Sequence, residues 1–134
     1  MTGLKLLGLS MLKVNTEILF KLLLKYLKPK TVCDIGTMDA SHSLIFRKVL
    51  PRSKLYSFEA NPYNSQAIRD NKAVMDAGIH LNELSILDKE GEITFNIQVY
   101  TVETNSWKKG ASSILKRKED DSGNEVRVKA VRLS

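Results

Sequence analysis

Apolar and polar positions along this chain switch between two periods, and the switches mark its elements. Ile18, Leu19, Leu22, Leu23 and Tyr26 or Leu27 recur at helical spacing, while Lys13, Glu17, Lys21 and Lys25 fall four apart on one face. Asn15 or Thr16 supplies a cap and Pro29 a stop. The pattern predicts a helix packed on a sheet, with Ile18, Leu22 and Leu23 buried and the charged row in water. Thr31-Val32-Cys33-Asp34-Ile35 is a short run rich in β-branched residues, which reads as a buried strand. A helix is predicted from Ser41 to Leu50, ended by Pro51, because proline disfavours helical backbone in the residue before it. A second strand runs from Lys54 to Glu59, and Ala60-Asn61-Pro62 turns the chain. A further helix is expected from Tyr63 to Ala77, with Gly78 as its left-handed cap. A third strand starts at Ile79 and continues through Leu81 to Leu87, followed by the turn Asp88-Lys89-Glu90-Gly91. Glu92 to Val99 then alternates strictly, with Ile93, Phe95, Ile97 and Val99 on one side, as in an antiparallel strand. Thr101 to Gly110 has no period and reads as a loop, Lys116 to Asn124 as a charged surface stretch, and Val126 to Arg132 as a last strand.

The order α, β, α, β, α, β and then further β elements defines an α/β class with a doubly wound parallel sheet. The sequence stops straight after a strand, whereas such folds carry further strand–helix units to cover both sheet faces, so a domain truncated at its C-terminus is expected. A chain of 134 residues makes one domain, preceded by an amphipathic helical segment over 1–30, with the α/β part over 31–134. Lys5, Lys13, Glu17, Lys21 and Lys25 interrupt the leucine-rich stretch, so no long uncharged span exists. A basic amphipathic helix also suits contact with a membrane surface, but a helix packed on the sheet is the reading adopted from the pattern. No small-residue cleavage site of a signal peptide follows it.

Composition narrows the classes. The 43% apolar content is that of a globular chain. Lys and Arg outnumber Asp and Glu 21 to 15, a net charge of +6, but no arginine-rich tract or basic–aromatic interleaving points to nucleic acid. Cys33 is the single cysteine, which rules out an intrachain disulfide and fits a reducing, cytoplasmic setting. With one cysteine and two separated histidines, His42 and His80, a structural zinc site is not expected.

The candidate chemistry lies after the first strand. Asp34, one residue and then Gly36 make a tight turn into a helix, and in open α/β sheets ligands bind beyond the carboxyl ends of such strands. Glu59 ends the second strand at about the 20-residue spacing that suits a carboxylate accepting hydrogen bonds from ribose hydroxyls. The strict dinucleotide fingerprint would place further glycines where Met38 and Ser41 stand, so a pyrophosphate ligand is disfavoured. A nucleoside ligand without pyrophosphate, such as S-adenosylmethionine, does not need those glycines.

With these pieces in place the chain resembles the FkbM family of S-adenosylmethionine-dependent methyltransferases. The resemblance is carried by Val32-Cys33-Asp34-Ile35-Gly36 with Asp39-Ala40-Ser41-His42-Ser43, by Tyr56-Ser57-Phe58-Glu59-Ala60-Asn61-Pro62, by Asn82-Glu83-Leu84-Ser85 with Glu90-Gly91-Glu92-Ile93-Thr94-Phe95, by Gly110-Ala111-Ser112-Ser113-Ile114, and by Val131-Arg132-Leu133-Ser134. It covers roughly residues 30–134. It implies a Rossmann-like class I methyltransferase sheet, S-adenosylmethionine as cofactor, and O-methylation of a small molecule or glycan. It also implies cofactor contacts at Asp34, Gly36, Asp39, Glu59, Asn61 and Ser85. Asp34 reads either as a turn-fixing acid near the methionine end or as a cap of the following helix. Asn61 lines the adenine side or caps the next helix, and Ser85 borders adenine. Ser112 and Ser113 read equally as substrate contacts or as a polar loop. Ala40 stands where the family often has a second glycine, placing a Cβ near the ligand, and Leu84 where a small residue is usual. No catalytic base can be named: His42 sits at a helix start and His80 enters a strand. The competing readings are a non-catalytic α/β module binding a nucleoside or a partner protein, and a nicotinamide-dependent oxidoreductase, which the missing glycines disfavour.

Overall fold

A computed structural model describes residues 15–97 and 124–132, which form a mixed α/β structure. The elements in order are α1 (Thr16–Leu27), β1 (Thr31–Ile35), α2 (Ser41–Val49), β2 (Lys54–Phe58), α3 (Pro62–Asp70), α4 (Lys72–Asp76), β3 (Ile79–Asn82), β4 (Ser85–Ile86), β5 (Gly91–Ile97) and β6 (Asn124–Val131). The expectations on Lys5, Lys13, Val99, Thr101 to Gly110, Ser112, Ser113 and Leu133 to Ser134 lie outside the described residues.

Strands β1, β2 and β3 form a parallel sheet in the order β1-β2-β3, with Val32 opposite Leu55 and Leu55 opposite Ile79. The neighbouring parallel pair expected from the strand–helix–strand order is therefore present. Side chains of a strand alternate between faces, so Val32, Leu55 and Ile79 share one face, and there the core forms. Ala40, Leu55, Ile68, Val74 and Ile79 are buried together, with Leu44 and Phe46 of α2 packed against them. Removing a leucine side chain such as Leu55 from water contributes about 1.5–3 kcal/mol. The opposite face carries Cys33, Ile35, Tyr56 and His80, of which Cys33, Ile35 and His80 are exposed. Among the described residues β1 pairs with β2 alone. A second sheet has the order β4-β6-β5, with β4 parallel and β5 antiparallel to β6. The alternation read in β5 is real: Phe95 and Ile97 are buried and Glu92 and Thr94 exposed.

Three expectations are corrected. The helix predicted over 63–77 is two helices, because Asn71 leaves helical backbone (φ −82, ψ 97) and its side chain accepts from the Ala73 N–H to start α4. The strand predicted through 87 is split, since β3 stays with β2 while β4 joins β6. The largest correction concerns α1. Asn15, one of the two caps foreseen, starts it, and it ends at a left-handed Lys28 just before Pro29, the stop that was expected, but it packs on α2 rather than on the sheet. Its Phe20 ring meets Phe46 of α2 edge-on at 5.7 Å, and Leu24 is its one buried residue. Ile18, Leu22 and Leu23 are exposed. Phe20 and Leu24 are also four apart, so the charged row did not determine which apolar stripe docks. Among the described residues no helix is long and apolar enough to cross a membrane.

Candidate functional site

The turn from β1 into α2 is built from unusual backbone. Gly36, Met38 and Ala40 have φ of +72, +58 and +60. For a residue with a side chain this region costs about 1–3 kcal/mol and persists only where surroundings enforce it. Three contacts enforce it here. The N–H groups of Gly36 and Thr37 both donate to the Phe58 carbonyl, at 2.9 and 3.2 Å, and the Met38 N–H donates to Glu59 Oε2 at 2.7 Å. At Gly36 an added Cβ would meet nothing within 4 Å, so the space over this glycine is open. The methyl of Ala40 is fully buried in the core cluster. It does not stand near a ligand as the motif comparison suggested, because the left-handed backbone turns it inward.

Beneath the turn lies a polar network. Asp34 Oδ2 accepts from the hydroxyls of Thr37 at 2.8 Å and Ser43 at 2.6 Å, and Ser43 Oγ lies 2.6 Å from Ser57 Oγ. Asp34 is thus turn-fixing, tying β1, the turn and the first turn of α2 together, and it makes no bond to a backbone N–H of the helix. Asp39, just before the Ala40 N-cap, accepts from the Ser41 N–H at 3.0 Å. Ser43 and Ser57 are buried, so Ser43→Ala is expected to lower stability by about 1–3 kcal/mol, the cost of leaving buried polar groups unpaired. Adding Ser57→Ala should cost less than it does alone, because the shared bond is already lost. Urea melts of the two single variants and the double check this.

Glu59 follows β2 and is 6% exposed. Its carboxylate accepts the Met38 N–H on Oε2 and the Asn61 N–H on Oε1, at 2.7 and 2.8 Å, with the Ala60 N–H and the Asn64 side chain also acting on it. Burial nonetheless dominates these bonds and holds its pKa above the ordinary carboxylate value. A carboxylate offers about four lone-pair positions, so an incoming hydroxyl would share oxygens that the chain's own donors already use. Glu59 is thus an already engaged carboxylate: it staples the β1–α2 turn to the start of α3 and also faces the cavity beside it.

Beside this staple is a cavity of about 210 Å³ at the carboxyl ends of β1 and β2, lined by Ile35, Gly36, Met38, Phe58, Glu59, Ala60, Asn64, Leu84, Ser85, Ile86 and Phe95. Small-molecule pockets usually measure about 300–1,000 Å³, so this one accommodates a single moiety such as a ribose or a base. Of the residues expected to contact a cofactor, Gly36, Glu59 and Ser85 come together here. Asp34 and Asp39 support the turn from outside the lining. Asn61 caps α3 by accepting from the Tyr63 N–H at 3.0 Å and is not in the lining. Neither histidine reaches the cavity: His42 stacks on Phe46 at 6.4 Å and His80 on Tyr56 at 5.2 Å. Sequence reasoning missed Thr37, Ser43, Ser57 and Asn64. The available signal was period two in β2, where Leu55, Ser57 and Glu59 share the buried face, which makes Ser57 a polar residue in need of a partner. Among the described residues no cluster of His, Cys, Asp and Glu is arranged to hold a metal ion.

Comparison of the chain with family models, with curated proteins and with solved structures finds no match. The resemblance to the FkbM family therefore rests on the motifs quoted above.

Proposed function

We propose that this chain binds S-adenosylmethionine at the carboxyl ends of β1 and β2, within a doubly wound class I methyltransferase fold, and methylates an oxygen of a small molecule or glycan. The observation that carries this reading is the juxtaposition of the Glu59 carboxylate with the open turn at Gly36 in one cavity after two adjacent parallel strands. The cavity takes one moiety of a nucleoside, and its residues suit either half. Glu59 is the acceptor for ribose hydroxyls, Gly36 leaves room for close approach, and Ile35, Phe58, Leu84 and Phe95 give apolar walls for a base. When bound, the cofactor supplies an electrophilic methyl group on a sulfonium, and the protein's part is to align the acceptor and exclude water.

The test is calorimetry with S-adenosylhomocysteine and with NAD, alongside thermal melts. S-adenosylhomocysteine should bind and NAD should not. At a ligand concentration of about 100 times Kd the fold should gain about 2.7 kcal/mol. Glu59→Gln should weaken binding by about tenfold or more, since a hydrogen bond to a charged group contributes about 1.5–3 kcal/mol. Preference for NAD, or binding of neither, would overturn the reading. A second reading, a non-catalytic module that binds a nucleoside, is favoured by one observation: Glu59 is the one titratable side chain among the described lining residues. Binding of S-adenosylhomocysteine without methyl transfer to any alcohol acceptor would select it.

A further inference from the structure

We propose that the exposed apolar face of α1 and the cation-lined cleft at its C-terminal end form one docking surface for an anionic phospholipid membrane. Successive helical residues are rotated by about 100°, which places Ile18, Leu22, Tyr26, Leu19, Leu23 and Leu27 on one continuous half of α1. All six are exposed, Tyr26 by 84% and Leu22 by 58%. No charged residue falls within that half, while Lys25 and Lys21 follow along one border. A soluble protein seldom leaves so continuous an apolar surface facing water. Lysines bordering an apolar half, with a tyrosine exposed on it, make the pattern of a helix lying in the membrane interface.

The second observation is independent of the first. A cleft of about 700 Å³ lies between the end of α1 and the α2–β2 loop, and its lining includes Lys25, Lys28, Lys30, Arg52 and Lys54, with no acid among the described lining residues. All five cations are exposed. Lys25 belongs to both features, so the cleft continues the polar border of the apolar half. The cleft gives phosphate headgroups a cationic seat while the helix face enters the acyl boundary. Charge decides between this occupant and a second copy of the chain. A second copy would bring the same cations, and the one acid of α1, Glu17, is already bound to Lys21 at 2.6 Å. At about 1.5 Å rise per residue the helix is too short to span a bilayer, so it lies on the surface.

The full chain is sedimented with vesicles of phosphatidylcholine and with vesicles of equal parts phosphatidylcholine and phosphatidylglycerol. It should pellet with the mixed vesicles, less so in high salt, and not with phosphatidylcholine alone. Lys25→Gln, Arg52→Gln and Lys54→Gln should each weaken partitioning by about fivefold, and Leu22→Ser by about tenfold. These side chains are exposed, so thermal melts of the variants should match the parent. Equal partitioning to both vesicle types, partitioning insensitive to the substitutions, or no partitioning would each overturn the proposal. A concentration-dependent dimer abolished by Leu22→Ser, without vesicle binding, would assign the face to a second copy instead.

Discussion

Glu59→Gln is expected to be less stable than the parent by about 1–3 kcal/mol at acid pH, with the gap narrowing as pH rises. The amide keeps the shape but turns one acceptor into a donor. Either the Met38 N–H or the Asn61 N–H, held at 2.7 and 2.8 Å by the carboxylate, then faces an N–H₂ group. A buried donor left without a partner costs about 1–3 kcal/mol. A protonated carboxyl avoids that cost, because its hydroxyl oxygen still accepts while its proton points elsewhere. The pH dependence follows from burial, which raises the Glu59 pKa above the ordinary 4.5. Between 4.5 and the raised value, the folded state binds more of this proton than the unfolded state does. The stability Glu59 contributes is therefore fully present below 4.5 and is lost as pH rises through the folded value. The glutamine variant has no such loss. Urea unfolding of both proteins at several pH values from acid to neutral checks this. A gap that widened with pH would mean that the ionised carboxylate is the favoured form.

This expectation differs from the one the sequence suggests, and the reason lies in the backbone. An acid at the end of an apolar strand, at the right distance from a turn glycine, is visible in the residues. That its oxygens already accept backbone N–H groups is not, because those positions follow from left-handed backbone at Met38, which no propensity predicts. The parallel pairing of β1 and β2, α2 with its Pro51 stop, and the antiparallel β5 were all legible, since each rests on local period and punctuation. The break at Asn71 was legible in principle, as asparagine is a strong cap, but the apolar spacing of Ile68, Val74 and Met75 argued for one helix. The docking side of α1 was not legible. Apolar residues cover more than half of its circumference, so the choice between Phe20 with Leu24 and Ile18 with Leu22 is made by α2. The split of the third strand has the same character, because β6, which takes β4 away from β3, enters about 40 residues later in the chain.

Arg47 produces the second large effect and was not singled out by any motif. It sits in the last turn of α2 and its guanidinium bonds to backbone carbonyls from two loops. Nε donates to Ala77 at 2.8 Å, Nη1 to Ser53 at 2.8 Å and to Pro51 at 3.0 Å, and Nη2 to Gly78 at 3.1 Å. One side chain thus fastens the loop that feeds β2 to the turn that feeds β3, whose Ala77 lies 30 residues beyond Arg47 in sequence. The fork also complements the exposed carbonyls at the ends of α2 and α4. Arg47→Met keeps the apolar stem and removes every donor. Two of these four bonds are partly buried and the others are open to water, so the expected loss is about 2–4 kcal/mol rather than the sum of four charged hydrogen bonds. Arg47→Lys keeps the charge but replaces a planar five-donor fork with a compact ammonium that cannot reach both loops at once. It should recover less than half of that loss. Because the acceptors are carbonyls rather than carboxylates, salt should change little. Urea unfolding of both variants at low and high salt is the measurement. Hydrogen exchange at β3 should rise in both variants, since that strand loses its tether at Gly78. A lysine variant as stable as the parent would mean that charge at the end of α2, and not the fork, holds the two loops.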